Sequence, residues 1–129
     1  MTARIVPDTN ILVSALWSKN GTPANIIGLV LAKQLTPCYD YRIMNEYRQV
    51  LSRPKFGFSV DDVRDLLEFI KKNGIPVMAK STGILFTDES DRKFYEVAKE
   101  CGAVLVTGNL KHFPEEPFIQ SAAEFLKGQ

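Results

Sequence analysis

Four polar side chains in this 129-residue sequence fall at positions where a cation site could form: Asp8, Glu46, Asp91 and Asn109. Asp8 and Asn109 each follow a short apolar run that is typical of a strand. Glu46 and Asp91 lie at helical spacing beside apolar residues, with Asp88 nearby, so we expect both carboxylates to lean toward the protein. Carboxylates gathered in one cleft repel one another and stay ionised together only if a cation lies among them. The sequence therefore predicts a metal site at these residues.

The predicted metal is Mg²⁺ or Mn²⁺, because oxygen ligands suit these ions better than they suit zinc. His112 is the single histidine, and no Cys/His spacing in the sequence is typical of a zinc site. Water bound to such an ion is more acidic than bulk water, and the ion also neutralises charge on a phosphodiester during an in-line displacement. The reaction class that these residues indicate is phosphodiester hydrolysis.

A negative cleft that holds a phosphate backbone also needs cations at its rim. Four side chains beside the acids are candidates for this substrate contact, although each can equally be an ordinary solvated charge: Arg92, Lys93, Lys111 and His112. The whole chain carries 16 Lys and Arg against 15 Asp and Glu, which gives a net charge of +1. Any binding of nucleic acid must therefore come from a local patch.

Simpler structural roles are open for three of the acids. Asp8 and Asp88 each precede an apolar periodic stretch and can serve as helix N-caps. Glu46 can be a solvated residue that pairs with Arg42 or Arg53. For these three residues the sequence supports both a structural role and a ligand role.

Asp91 is harder to explain without a ligand. It lies three residues before Phe94 and seven before Ala98, on the apolar face of a predicted helix. An unpaired carboxylate in such surroundings costs several kcal/mol. We therefore expect Asp91 to be paired or bound to a metal.

A parallel α/β sheet must position these residues. Ile5 and Val6 predict a short strand, and Asp8 lies where this strand gives way to a helix. The apolar run at residues 103–106 predicts a strand buried on both faces, and Asn109 follows its C-terminal end. Because strands alternate with helices, we expect a parallel sheet in which these two strand ends are neighbours. In open α/β sheets, ligands bind at that edge.

The remaining elements follow from hydrophobic periodicity and from turn residues. Helices are predicted over residues 23–33, 40–53, 59–74, 88–102 and 121–126. Strands are predicted at residues 35–39, 75–78 and 117–119, and Pro37 favours an irregular or edge strand for the first of these. Residues 80–87 are expected to form an irregular connection, and residues 1–129 are expected to form one domain.

The composition predicts a soluble globular protein. Hydrophobic residues make up 45% of the chain and charged residues 24%, and no apolar segment has the length of a membrane span. The N-terminus lacks the pattern of a signal peptide. Cys38 and Cys101 are too few for a disulfide framework, so we expect reduced thiols and a cytoplasmic protein.

Single positions disfavour two other α/β classes. A phosphatase with an aspartyl nucleophile needs a second Asp two residues after Asp8, where this chain has Asn10. A phosphoacceptor receiver domain needs an adjacent pair of acids after the first strand and a lysine directly after the strand at residues 103–106, and the sequence has neither.

Four motifs, in order along the chain, resemble those of PIN-domain proteins. They are Val6-Pro7-Asp8-Thr9-Asn10, Glu46 in a mid-chain helix, Asp88-Glu89-Ser90-Asp91-Arg92-Lys93-Phe94 and Val106-Thr107-Gly108-Asn109. The resemblance covers nearly the whole chain and is strongest to the VapC-like ribonucleases, the toxin components of prokaryotic type II toxin–antitoxin systems. It implies a three-layer α/β/α fold with a central parallel sheet of about four to five strands.

The resemblance also implies an activity. That activity is cleavage of single-stranded RNA that depends on Mg²⁺ or Mn²⁺, in a protein that is often a homodimer and has an antitoxin protein as its partner. Carried over residue by residue, it makes Asp8, Glu46 and Asp91 metal ligands or water orienters, Asp88 an auxiliary acid, and Thr9 and Thr107 hydroxyls that orient the site.

The chain departs from the commonest PIN pattern at Asn109, where an acid is often found. An amide can ligate a metal through its oxygen but brings no charge. A second metal ion would therefore be held more weakly. The alternative hypothesis is a catalytically weak or inactive PIN-like module that binds RNA or an antitoxin without cutting.

Overall fold

The computed structural model of the chain describes residues 2–129. Its strands are β1 (Ala3–Pro7), β2 (Leu35–Tyr39), β3 (Ile75–Pro76), β4 (Val104–Val106) and β5 (Ile119–Gln120). Its α-helices are α1 (Thr9–Trp17), α2 (Thr22–Leu31), α3 (Tyr41–Leu51), α4 (Val60–Asn73), α5 (Arg92–Cys101) and α6 (Ala122–Lys127). Short 3-10 turns lie at Pro54–Phe56, Glu89–Asp91 and Leu110–His112. Within residues 2–129, no helix is both long enough and apolar enough to cross a membrane.

The five strands form a parallel sheet in the order β3-β2-β1-β4-β5. Strand β1 lies at its centre, where Ala3 pairs with Leu35 of β2 and Ile5 pairs with Val104 of β4. The predicted α/β class with a parallel sheet is thereby confirmed. The C-terminal ends of β1 and β4 are neighbours, as expected from the alternation of strands and helices.

Helices on both faces of the sheet complete the three-layer α/β/α arrangement. Ile5 and Val6 of β1 and Leu105 and Val106 of β4 are fully buried, as parallel strands covered on both faces require. Helix α5 packs against β1, β2 and β4 through its apolar face. This core holds the ends of β1 and β4 and the start of α5 close together.

The strand that contains Pro37 is not at an edge, contrary to the prediction, because β2 lies between β1 and β3. Strand β3 is only two residues long and pairs with Cys38 and Tyr39. Pro37 therefore has no paired residue on the β3 side, and its missing N–H breaks no ladder there. The last strand also differs, since it lies at Ile119–Gln120 instead of residues 117–119.

The helix predicted over residues 88–102 begins later, at Arg92. Residues Glu89–Asp91 form a 3-10 turn, in which the N–H of Asp91 donates to the carbonyl of Asp88 at 3.1 Å. This three-residue spacing of the hydrogen bond tightens the chain relative to an α-helix. Asp91 consequently lies directly before α5 and not inside it.

Candidate functional site

Asp8 lies at the end of β1 and is 7% exposed. It occupies the N-cap position of α1, but within residues 2–129 its side chain makes no capping bond. Its Oδ2 instead accepts hydrogen bonds from Thr107 Oγ1 at 2.8 Å and from Asn10 Nδ2 at 3.4 Å. Burial raises the pKa of Asp8 to about 6, despite the opposing effect of the Thr107 hydroxyl. The carboxylate therefore points toward the segment after β4 and has little contact with water.

The segment after β4 is bonded directly to the segment after β1. The N–H of Asp8 donates to the carbonyl of Val106 at 2.8 Å, and the N–H of Gly108 donates to Asn10 Oδ1 at 3.2 Å. The N–H of Asn109 donates to Thr107 Oγ1 at 3.0 Å. Thr107 thus orients Asp8 and its own loop at the same time, which places Asn109 beside the site.

Glu46 approaches from α3, and its two carboxylate oxygens have different partners. Thr9 Oγ1 donates to Oε2, whereas Lys93 Nζ lies 2.7 Å from Oε1. The Lys93 side chain is only 12% exposed, so this is a partly buried ion pair. Pairing with Arg42 or Arg53 was the simpler role for Glu46; among the described residues it pairs with Lys93 instead.

Asp91 has a buried oxygen without a hydrogen-bond donor. Its Oδ2 is the single buried side-chain nitrogen or oxygen atom of residues 2–129 that lacks a hydrogen-bond partner. The imidazole of His112 lies close to this oxygen, with its Nδ1 3.5 Å away. Burial raises the pKa of Asp91, and the nearby carboxylates of Asp88 and Glu46 raise it further. A buried anionic oxygen in this state is suited to a cation.

Asp88 takes the capping role that the sequence left open. Its Oδ1 accepts from the N–H of Ser90 at 2.9 Å and from Ser90 Oγ at 2.7 Å, and these bonds lower the pKa of the exposed carboxylate. Asp88 also raises the pKa of Asp91, so it contributes charge near the site.

The cations predicted to contact substrate lie in different places. Lys111 and His112 are exposed on the turn that follows Asn109. Lys93 pairs with Glu46. Arg92 donates to the backbone carbonyls of Thr82 at 2.9 Å and Ile84 at 2.6 Å, and it also pairs with Glu89 and stacks on Phe86. Its guanidinium is thus engaged in holding residues 82–86.

Sequence reasoning missed Glu96, a carboxylate in α5 that is 3% exposed. It accepts from Arg42 Nη1 at 3.0 Å and from the N–H of Thr82 at 2.9 Å, and Arg92 Nη1 lies 3.8 Å away. The one signal in the sequence is its position four residues after Arg92, which places the two on the same helix face. Glu96 joins α3, α5 and the segment of residues 80–87.

The carboxylate oxygens of Asp8 and Asp91 are of the chemical type that binds a divalent cation. Asp8 and Asp91 supply carboxylate oxygens with raised pKa values, and the charge of Asp91 adds to the rise in the pKa of Asp8. No group of three or more His, Cys, Asp and Glu side chains in residues 2–129 is nevertheless arranged to hold a metal. Thr9 and Lys93 occupy the two carboxylate oxygens of Glu46. Glu46 can join a metal only after Lys93 moves away.

Comparison with known proteins agrees with the fold and the motifs. The sequence profile of the PIN domain matches residues 4–111. An uncharacterized protein of Methanocaldococcus jannaschii is 26% identical over 109 residues, which cover 82% of this chain and 70% of that protein. The crystal structure of VapBC2 from Rickettsia felis bound to a DNA fragment from their promoter contains a chain of similar fold, with a TM-score of 0.58, 22% identity, and coverage of 92% of this chain and 96% of that chain. The profile match spans most of the sequence, and the chain therefore belongs to the PIN domain family.

Proposed function

We propose that this chain is a metal-dependent endoribonuclease that hydrolyses phosphodiester bonds of single-stranded RNA. PIN domains are generally nucleases, so the family supports a hydrolase. The observation that carries the proposal concerns two poorly solvated carboxylates: burial and the charge of Asp91 raise the pKa of Asp8, and one buried oxygen of Asp91 lacks a hydrogen-bond donor within residues 2–129. A bound cation would lower the pKa values of both groups and stabilise their ionised forms.

In this proposal Asp8 and Asp91 hold Mg²⁺ or Mn²⁺, and Asn109, whose N–H donates to Thr107 Oγ1, supplies a further amide oxygen. When bound, such an ion supplies an acidified water and neutralises charge on the phosphodiester. Thr107 fixes the orientation of Asp8, and Thr9 does the same for Glu46. Glu46 orients water once Lys93 has released it.

The exposed side chains of Lys111 and His112 are proposed to contact the RNA backbone, together with Lys93 when it leaves Glu46. Asp88 is proposed to act as an auxiliary acid through its charge. Arg92 supports this side of the site indirectly, by holding residues 82–86.

We also propose that the chain is the toxin of a toxin–antitoxin pair, acts in the cytoplasm and forms a homodimer. The support for a partner is the similarity in fold to a chain of the VapBC2 complex. Light scattering of the purified chain, alone and after co-expression with the protein encoded next to it, tests both assemblies.

The test of activity is cleavage of a labelled single-stranded RNA. Cleavage is expected with Mg²⁺ or Mn²⁺, and it should vanish with EDTA and in the Asp8→Asn variant. Asp61→Asn is the matched control, because Asp61 is an exposed acid in the first turn of α4. Activity that survives chelation would contradict the metal mechanism.

The second candidate is a catalytically weak or inactive module that binds RNA or an antitoxin. Two observations favour it: Asn109 brings no charge, and Lys93 already neutralises Glu46. RNA binding without cleavage at any concentration of Mn²⁺ would identify this alternative.

A further inference from the structure

A cleft of about 820 Å³ lies beside the acids, between the start of α1, the start of α2 and the loop that follows β4. Polar residues from these three segments line it, and apolar residues of α6 form part of its wall. The polar residues that matter here are Asn10, Ser14, Thr22, Asn109, Lys111 and His112. We call this the polar cleft.

The polar cleft has no Asp or Glu among its lining residues in the described part of the chain, although the sequence contains 15 acids. Four other cavities have carboxylates in their walls, which come from Glu68, from Asp62 and Asp65, from Glu96 and Glu100, and from Glu115, Glu116 and Glu124. In three of them the acids equal or outnumber the lysines and arginines. In the groove between α3 and α4, Arg48, Arg64 and Lys71 outnumber Glu68, but the described residues that line that groove include none of the candidate site residues. The polar cleft instead offers a lysine, a histidine, hydroxyls and amides.

Direct contacts join the polar cleft to the acids. Asn10 lines the cleft and donates to Asp8 Oδ2 at 3.4 Å. His112 lines it as well, and its Nδ1 lies 3.5 Å from Asp91 Oδ2. If a nucleic-acid strand has one phosphodiester group at Asp8 and Asp91, its next nucleotide is therefore within reach of the polar cleft.

We propose that the polar cleft binds the nucleotides on one side of the cleaved phosphodiester bond of a single-stranded RNA. This inference rests on the proposed ribonuclease function and extends it by naming the path of the substrate. The volume is within the range of small-molecule sites, about 300 to 1,000 Å³. Lys111 and His112 face the phosphates, while Ser14, Thr22 and Asn10 offer hydrogen bonds to sugar and base edges.

The test introduces one negative charge into the cleft by Ser14→Glu. Ser14 is exposed on α1, so the substitution should be compatible with folding. The matched control is Ser52→Glu, because Ser52 is also exposed but lines the separate groove between α3 and α4. Thr22→Glu is a second test variant, since an acid in the first turn of α2 favours that helix.

Binding of a fluorescein-labelled single-stranded RNA is measured by anisotropy in EDTA, where no cleavage is expected. Ser14→Glu and Thr22→Glu should each weaken binding by about tenfold or more, whereas Ser52→Glu should stay within about twofold of wild type. Lys111→Ala should lower the slope of log affinity against log salt by about one.

The outcomes separate this inference from the proposed function. If wild type binds and cleaves RNA but both cleft variants match Ser52→Glu, the cleft assignment is wrong and the ribonuclease proposal stands. If wild type neither binds nor cleaves RNA, both fall. A loss of homodimer mass in Ser14→Glu by light scattering would assign the cleft to contact between copies of this chain and also overturn the inference.

Discussion

Lys93 places its positive charge beside Glu46, a residue that is expected to bind a metal ion. Its Nζ lies 2.7 Å from Glu46 Oε1 and also donates to the carbonyl of Ser90, so the ammonium is held from two sides. The pair neutralises Glu46 next to Asp8 and Asp91. A divalent ion that recruits Glu46 must first displace this ammonium, and the metal-binding free energy is reduced by the cost of breaking the pair.

Removal of the Lys93 charge should therefore strengthen metal binding. We expect Lys93→Met to bind Mn²⁺ about fivefold more tightly than wild type, because the metal no longer has to break a partly buried ion pair to reach Glu46. Isothermal titration calorimetry checks this, with Lys93→Arg as the control that keeps the charge. Asp91→Asn should weaken binding in the same assay. Equal affinities of Lys93→Met and wild type would show that Lys93 does not compete with the metal.

Individual residues show how far sequence reasoning reaches at this site. The positions of Asp8 and Thr107 followed from strand ends, which local patterns reveal. The partners of Glu46 did not follow, because Lys93 is 47 positions away along the chain and meets it only when α3 packs near α5. The orphaned oxygen of Asp91 depends on the same packing. Sequence periodicity indicates which face a residue occupies but not which side chain it meets there.

At the scale of elements, the irregular segment of residues 80–87 is fixed by charged side chains of α5. Glu96 accepts from the N–H of Thr82, and Arg92 donates to the carbonyls of Thr82 and Ile84. This segment leads directly to Asp88 and the turn that carries Asp91. The network therefore controls how firmly one side of the site is held.

Loss of the Glu96 charge should loosen that segment before it affects the rest of the fold. Glu96→Gln leaves Arg42 with Asp40 as its one remaining anionic partner within residues 2–129 and removes the buried charge near Arg92, so we expect a loss of about 1 to 3 kcal/mol in unfolding free energy. Amide hydrogen exchange should rise most in residues 80–91. The matched control is Glu68→Gln, because Glu68 is exposed on α4. A uniform rise in exchange across all elements would instead indicate a general loss of stability.

The elements also show why the strands were easier to predict than their neighbours. The strands at residues 35–39 and 103–106 were predicted from short apolar runs, and β2 and β4 agree with them within one residue. The edge assignment from Pro37 failed because a two-residue β3 covers only the end of β2. The start of α5 shifted because Asp88 closes a 3-10 turn, and sequence patterns alone do not separate such a turn from the first turn of an α-helix.

Across the whole molecule, charge is separated although the net charge is only +1. Acids converge at the C-terminal end of β1 and just before the start of α5, and the adjoining polar cleft has no carboxylate among the described residues that line it. The folded chain buries Asp8, and this burial raises the pKa of the carboxylate. Its stability should therefore depend on pH through Asp8.

The raised pKa of Asp8 fixes the sign of that dependence. In the folded protein the pKa is about 6 against a usual value of 3.8, so between these pH values the folded state binds more protons than the unfolded state. Ionised Asp8 therefore costs stability above pH 6, by about 2 to 3 kcal/mol. In EDTA, the unfolding free energy of wild type should rise relative to Asp8→Asn as pH falls from 7 to 4.5.

Saturating Mn²⁺ should reverse this dependence if Asp8 is a ligand. A metal binds the ionised carboxylate of the folded state, so the stabilisation it gives should fall as pH drops through 6. Urea unfolding of wild type and Asp8→Asn at pH 4.5 and 7, with EDTA and with Mn²⁺, gives all the required differences. Subtracting the unfolding free energy of Asp8→Asn from that of wild type removes the contribution of the other titrating acids. If the pH dependence of wild type relative to Asp8→Asn is the same in EDTA and Mn²⁺, then Asp8 is buried for structural reasons alone.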